Sequence, residues 1–268
     1  MTSAPLTPSN ARVKELRKLS RRSERSERRL FLADGPKAVE GAIRADVCRE
    51  LFATPEAAQT HAELIDGRPV TLVSPQAMAA ISDAVSPAGI TALCGFLDVE
   101  WSHVAGRAVT SGGSSGPRLV AICADVRDPG NAGTVIRCAD AAGADAVVLA
   151  GDAVDLYNPK TIRASVGSAF HLPIVLERDP ARAVRAAHDA GLSVLAADMS
   201  GLDLFAADDL LARPTAWLFG NEAWGLPAPL RASADSVVSI PIYGRAESLN
   251  LSTAAAVCLY ASARAQRA

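Results

Sequence analysis

With 268 residues, the chain is long for one core and ample for two domains of about 100–150 residues, so two are expected. Hydrophobic residues make up 49 % and charged ones 21 %, ordinary globular usage that excludes wholesale disorder and fibrous architectures. The net charge of −2 conceals an asymmetry: residues 1–30 hold nine Lys/Arg and three Glu, a local +6, and the remainder carries −8.

No run approaches the roughly 18 apolar residues of a membrane-spanning helix, so a soluble protein with no membrane partner is expected. The basic start has no apolar signal-peptide core, and Glu15, Glu24 and Glu27 argue against a transit peptide, which points to the cytoplasm. Cys48, Cys94, Cys123, Cys138 and Cys258 are odd in number and contain no C-x-x-C pair, and the four histidines are dispersed. Neither a disulfide framework nor a metal site is expected.

Val13, Leu16 and Leu19 predict a helix over about 12–29 within a basic arm, 1–29. The arm is either an electrostatic footprint for a polyanion, weakened by salt, or a solvated helix with pairs such as Glu24 with Arg28. Residues 30–108 read as a compact αβ unit. Its first strand is Leu30–Ala33, Asp34-Gly35-Pro36 turns the chain, and Val39, Ile43 and Val47 carry a helical spacing. Helices open at Pro55 and Ser74-Pro75, and strands fall near 70–73 and 89–97. Residues 109–117, ending Gly-Gly-Ser-Ser-Gly-Pro, bury nothing and predict a linker.

The region 118–268 then alternates apolar strands (118–125, 145–150, 172–176, 193–198, 214–219, 236–241) with helices (131–142, 159–168, 180–190, 248–265). Such alternation predicts an α/β fold with a parallel sheet covered on both faces. Ligands in such sheets bind beyond the carboxyl ends of the strands, and three loops there are rich in polar residues.

In the first, a strand ends at Asp125, Pro129-Gly130 turns the chain, and Asn131–Gly133 opens a helix carrying Arg137. Free N–H groups at that start favour an anion, with Arg137 or Arg127 to reach it; alternatively Asn131 only caps the helix. In the second, the strand Ala216–Phe219 runs into Gly220, Asn221 and Glu222, then Trp224-Gly225 and Pro227. Here the glycines let backbone approach a ligand, unless the loop is a plain turn. In the third, Ser248, Asn250, Ser252 and Thr253 crowd the start of an Ala-rich helix that carries Tyr260 and suits a core or a subunit interface. Asp198-Met199-Ser200-Gly201 closes the strand before the second loop, as a wall for a ligand or a simple turn.

In this order, N-x-G-x-x-x-R from Asn131, G-N-E from Gly220 with Gly225 after it, and I-P-I from Ile240 with E-S-L-N-x-S from Glu247 resemble the three signature motifs of the SpoU (TrmH-like) RNA 2′-O-ribose methyltransferases of the SPOUT superfamily. The resemblance spans about residues 118–265. The arm and the segment Glu27–Ile43 look like the start of the L30e-like substrate-binding domain many members carry; Ala33-Asp34-Gly35 departs slightly from the commoner acidic-Gly pattern. The resemblance implies a C-terminal trefoil knot forming an S-adenosylmethionine pocket, and a homodimer built through that region. It implies Met199, Gly220, Ile240 and Leu249 as cofactor-binding residues and Asn131, Arg137, Glu222, Ser248 and Asn250 as the catalytic and substrate-binding set, with no metal. Ribosomal (23S) RNA is the expected substrate, with transfer RNA as an alternative.

Two other classes compete. A Rossmann-type oxidoreductase would use the first loop as a phosphate cradle with Asp152 about 20 residues on, but D-P-G-N-A-G lacks G-x-G-x-x-G. A non-catalytic RNA-binding protein would need only the arm and first half, leaving three polar loops without a purpose.

Overall fold

The computed structural model describes residues 4–106 and 116–268; the expected linker at 109–117 lies, apart from Gly116 and Pro117, outside the described residues. The chain divides into two compact units, one of residues 1–97 and 155–171, the other of 98–154 and 172–268.

The first unit opens with α1 (Ala11–Lys18) and α2 (Arg22–Arg28) where one helix was expected. The break at Leu19–Arg21 has a visible cause: the buried Arg25 guanidinium donates to the carbonyls of Leu19 and Ser20 at 2.7 and 2.8 Å, taking carbonyls a continuous helix would occupy. The apolar face of the arm belongs to the core, and Lys14, Arg17 and Arg21 stay exposed. Val13, Leu16 and Leu19 are buried in one cluster with Leu32, Phe52, Val73, Met78 and Leu93, and the Glu24–Arg28 pair forms on the exposed side at 2.9 Å.

Next come β1 (Leu30–Asp34), α3 (Pro36–Arg44), β2 (Cys48–Ala53), α4 (Pro55–Thr60), α5 (Ala62–Ile65), β3 (Val70–Leu72), α6 (Pro75–Ile81) and β4 (Ile90–Gly95). The sheet runs β1-β4-β2-β3, parallel only between β2 and β3. Proline at the start of α3, α4 and α6 uses a position whose N–H has no helical partner. Helix α3 stops before Val47, because Asp46 takes a left-handed φ of +56°.

Residues 155–171 also belong to this unit. The Asp155 carboxylate accepts from Arg25 at 2.5 and 3.0 Å, with the two side chains only 13 % and 4 % exposed. Tyr157 stacks on Phe96 with centroids 3.6 Å apart and tilts against Phe31 at 4.8 Å. Gly41 has no room for a Cβ, which would stand 2.7 Å from the Phe170 ring.

The second unit contains α7 (Trp101–Ala105), β5 (Leu119–Ala124), α8 (Pro129–Ala142) and β6 (Ala146–Ala150). After it, α9 (Pro159–Ala164) packs on β1 of the first unit and ends four residues before the expected helix boundary at 168. The second unit resumes with β7 (Ile174–Glu177), α10 (Pro180–Asp189), β8 (Ser193–Asp203), α11 (Asp208–Leu211), β9 (Thr215–Phe219), α12 (Ala228–Ala232), β10 (Ser236–Ser239) and α13 (Leu251–Ala265). All six strands are parallel, in the order β10-β8-β9-β5-β6-β7.

Alternate strand residues serve the two faces. Val120, Ile122, Val148, Val194 and Leu218 pack with Ala183, Val184 and Ala187 of α10. On the other face, α13 packs on α8, β5 and β9, and buried Trp217 donates its indole N–H to Ser262 Oγ at 2.9 Å. Strand β8 runs on to Asp203 instead of turning at Asp198, and β10 follows it through a register slip between Val237 and Val238.

Breaking a buried ion pair by deleting one partner strands the other charge and costs about 3–5 kcal/mol, whereas exposed pairs contribute about 0–1 kcal/mol. Arg25→Met is therefore expected to lower stability in urea unfolding by about 3–5 kcal/mol. Arg12→Met, which breaks the exposed pair with Glu50, changes it by less than about 1 kcal/mol. Equal effects would show that Arg25 does not organise its unit.

Candidate active site

The three polar loops, which follow β5, β9 and β10, meet at the carboxyl ends of β5 and β9. Asp128, not Asn131, is the N-cap of α8, its carboxylate accepting from Asn131 N–H at 2.7 Å. Pro129 and Gly130 form the first helical turn, so Asn131 stands on that turn with its amide side chain projecting toward the other loops. Asn250 is the N-cap of α13, its side-chain oxygen accepting from Ser252 N–H and Oγ at 2.9 and 2.7 Å. Ser248 and Leu249 precede the helix.

Glu222 joins these pieces. Its carboxylate accepts from Asn131 Nδ2 at 3.1 Å, from Asp128 N–H at 3.2 Å and from Arg127 N–H at 3.3 Å. Asn131 Oδ1 in turn accepts from Asn250 Nδ2 at 3.1 Å. An ionised carboxylate only accepts, so it sets the direction of the chain: Ser252 donates to Asn250, Asn250 to Asn131, and Asn131 to Glu222.

The glycines of the second loop work as pairs of backbone. Asn221 and Gly225 exchange N–H to C=O bonds of 3.0 and 2.9 Å, closing a tight turn around Glu222, and Gly225 has φ +69°. A Cβ on Gly220 would lie 2.4 Å from the Gly225 carbonyl carbon, so only glycine fits there. Buried Asn221 ties the turn down, donating from Nδ2 to the Asp125 carbonyl at 2.6 Å.

A pocket of about 600 Å³ opens beside this turn. It contains Met199, Gly220, Ile240 and Leu249, and also Glu222, Ser248 and Asn250. Asp198 lies on the same wall. Burial pulls its pKa upward, but donation from the Ser200 hydroxyl and N–H and from Arg231 outweighs this and holds it below its ordinary value. Asn131 is linked to the pocket through Glu222 and Asn250 without lining it. Arg137 is not brought in: it is exposed, stands six residues further along α8, about 9 Å along the axis, and makes no hydrogen bond or ion pair among the described residues. Cys123 and Cys258, pushed up to about 12 by burial, are not thiolates at neutral pH.

One arrangement went unread in the sequence. Arg127 is pinned to Asp152 at 2.8 Å and lies over the exposed Trp224 ring, 5.1 Å from its centroid, at the pocket. The two stand 97 positions apart, and only the folded loops bring them together.

Residues 118–260 match the model of the SpoU rRNA Methylase family, and 10–92 match an MRM3-like substrate binding domain. The chain belongs to the SpoU family. It is 32 % identical over 252 residues to the 23S rRNA (guanosine(2553)-2′-O)-methyltransferase RlmP of Bacillus subtilis, covering 94 % of this chain and 95 % of that one. A 23S rRNA (uridine(2479)-2′-O)-methyltransferase of Streptomyces viridochromogenes is 42 % identical over 142 residues, 51 % of this chain and 49 % of its own. The structure of an AdoMet-bound rRNA methyltransferase from Sinorhizobium meliloti superposes with a TM-score of 0.82 at 30 % identity, over 97 % of both chains. The α/β SPOUT fold with a smaller N-terminal domain follows.

In this SpoU site, the Glu222 carboxylate holds the amides of Arg127 and Asp128 from the side. Glu222→Ala is expected to speed hydrogen exchange at those two amides and at Asn131 while leaving exchange in β5 and β9 unchanged. Unaltered exchange at Arg127 and Asp128 would mean that Glu222 does not fasten the loops.

Proposed function

We propose that the protein transfers a methyl group from S-adenosylmethionine to a ribose 2′-hydroxyl of 23S ribosomal RNA. The observation that carries this reading is the pocket beside β8 and the end of β9, lined by residues of the second and third SpoU motifs and joined to Asn131 of the first through Glu222 and Asn250. Its residues fit the cofactor: bare backbone at Gly220, apolar surface from Met199, Ile240 and Leu249, and an ionised carboxylate at Asp198 for a cationic group.

When bound, S-adenosylmethionine supplies a methyl group on a positively charged sulfur. The ribose oxygen gains negative charge during its in-line attack, so the chain must align it and stabilise that charge. Arg137, which stands outside the pocket on α8, is assigned to the neighbouring phosphate and the developing alkoxide, which the bound RNA must bring to it. A guanidinium does not give up its proton at neutral pH, so a phosphate oxygen of the RNA takes the hydroxyl proton. Asn131 orients the ribose, Glu222 fixes the loops, and Ser248 and Asn250 hold the substrate beside the cofactor.

After edge strand β10 the chain crosses back past β8 and β9 to bring Asn250 to Asn131; this supports the trefoil knot expected from the family resemblance. A homodimer is proposed on exposed Tyr260 of α13 and exposed Phe205, whose 204–206 turn packs against that helix. Among the described residues no helix is long and apolar enough to cross a membrane, and a ribosomal substrate supports a cytoplasmic setting.

Labelled S-adenosylmethionine with unmodified ribosomal and transfer RNA, followed by alkaline hydrolysis, tests the reading. A methylated 2′-oxygen cannot attack its phosphodiester, so label is expected in alkali-resistant dinucleotides from ribosomal RNA. Label in mononucleotides would mean base methylation, and label in transfer RNA alone would change the substrate class. Arg137→Ala is expected to lower kcat by about 10²–10³ while leaving cofactor binding intact; unchanged turnover would remove it from the mechanism.

A further inference from the structure

The first unit holds a second pocket, of about 430 Å³, lined by the end of α1, the turn after it, β1 and the end of α6. Its volume falls within the range of small-molecule sites, about 300–1,000 Å³. Lys14, Arg17, Lys18 and Arg21 supply its cations. Lys18 is engaged with Glu15 at 2.6 Å, but Lys14, Arg17 and Arg21 make no ion pair among the described residues. The turn that carries Ser20 and Arg21 is held from behind by buried Arg25, through the Leu19 and Ser20 carbonyls, so this wall is formed before any ligand arrives. Leu19, Leu32 and Ile81 give the pocket an apolar floor. The remaining polar groups are acceptors and hydroxyls: Asp34, which is buried and accepts from Ser82 Oγ and from Thr91 Oγ1 at 3.1 Å, and Asp83, which pairs with Arg163 at 3.3 Å.

Three free cations, an apolar floor and two carboxylates in one pocket match the parts of a nucleotide. Phosphate goes to the cations, the ring to the floor, and base N–H donors to the carboxylates. Guanine alone among the four bases presents adjacent ring N–H and amino donors that a carboxylate accepts as a pair. We propose that this pocket binds one guanosine nucleotide of the RNA substrate, other than the one methylated, with its phosphate on Lys14, Arg17 and Arg21. The proposal rests on the RNA reading above and gives the N-terminal unit a base-specific role.

The test uses the full chain and titrates guanosine 5′-monophosphate, adenosine 5′-monophosphate and inorganic phosphate by calorimetry at low salt. The guanosine nucleotide is expected to bind once per chain, with adenosine nucleotide and phosphate about tenfold weaker, the order of loss for an unmatched polar edge. The triple variant Lys14→Ala, Arg17→Ala, Arg21→Ala, all exposed positions, is expected to lose that binding while retaining S-adenosylmethionine. Asp83→Asn is expected to narrow the preference for guanosine over adenosine. Phosphate binding as tightly as the guanosine nucleotide would reduce the pocket to an anion patch, and unchanged binding by the triple variant would place the nucleotide elsewhere; either overturns the proposal. Methyl transfer to ribosomal RNA, assayed alongside, separates the two readings. Transfer without guanosine binding overturns the pocket alone, and guanosine binding without transfer to any RNA overturns the catalytic reading alone.

Discussion

The Glu222 carboxylate is the point on which the site depends. Three loops that start at different strands have no reason to settle in one arrangement, since loops surrender conformational entropy when they are fixed. A carboxylate that accepts from two backbone N–H groups and one side-chain amide gives the first loop a fixed place against the second. The amide of Asn131 then passes that order to Asn250 and so to the start of α13. Because every donor along the chain points toward the negative charge, neither asparagine can flip without placing two acceptors or two donors face to face.

The sheet explains why these loops are neighbours at all. Six parallel strands put all their carboxyl ends on one edge, and the pairing of β9 with both β5 and β8 sets the G-N-E turn between the loop after β5 and the wall formed by β8. Close packing at Gly220 keeps that turn flat against its own backbone. The resulting pocket owes its shape to main chain more than to side chains, which suits a ligand that must be held in one orientation.

Much of this was legible in the sequence. The apolar strands and the helix after Ser74 follow from period and capping chemistry, and the second and third motifs named residues that line the pocket. The helix of the first loop opens at Pro129 under Asp128 rather than at Asn131, and Arg137 stands away from the pocket. What was not legible depends on contacts distant in the chain. Residues 155–171 read as part of the second half, but a buried Arg25–Asp155 pair and the Tyr157, Phe31 and Phe96 rings place them in the first unit. The same arginine breaks the expected long N-terminal helix, turning what looked like a basic arm into part of a core. Asp198 to Gly201 read as a ligand wall or a simple turn closing the strand, yet β8 runs on to Asp203. Strand β10 pairs with it up to Ala196 and again from Leu202, and the residues between fall in the register slip, with Asp198 and Met199 lining the pocket.

Asn131 and Asn250 act as one unit under Glu222, and a double-mutant cycle tests this coupling. Methyl transfer to ribosomal RNA would be compared for Asn131→Ala, Asn250→Ala and the double variant, using kcat/KM. Strong non-additivity is expected, a coupling of about 0.5–3 kcal/mol, with the double variant little worse than either single one. Additive losses would contradict it, because the two amides would then serve the reaction independently.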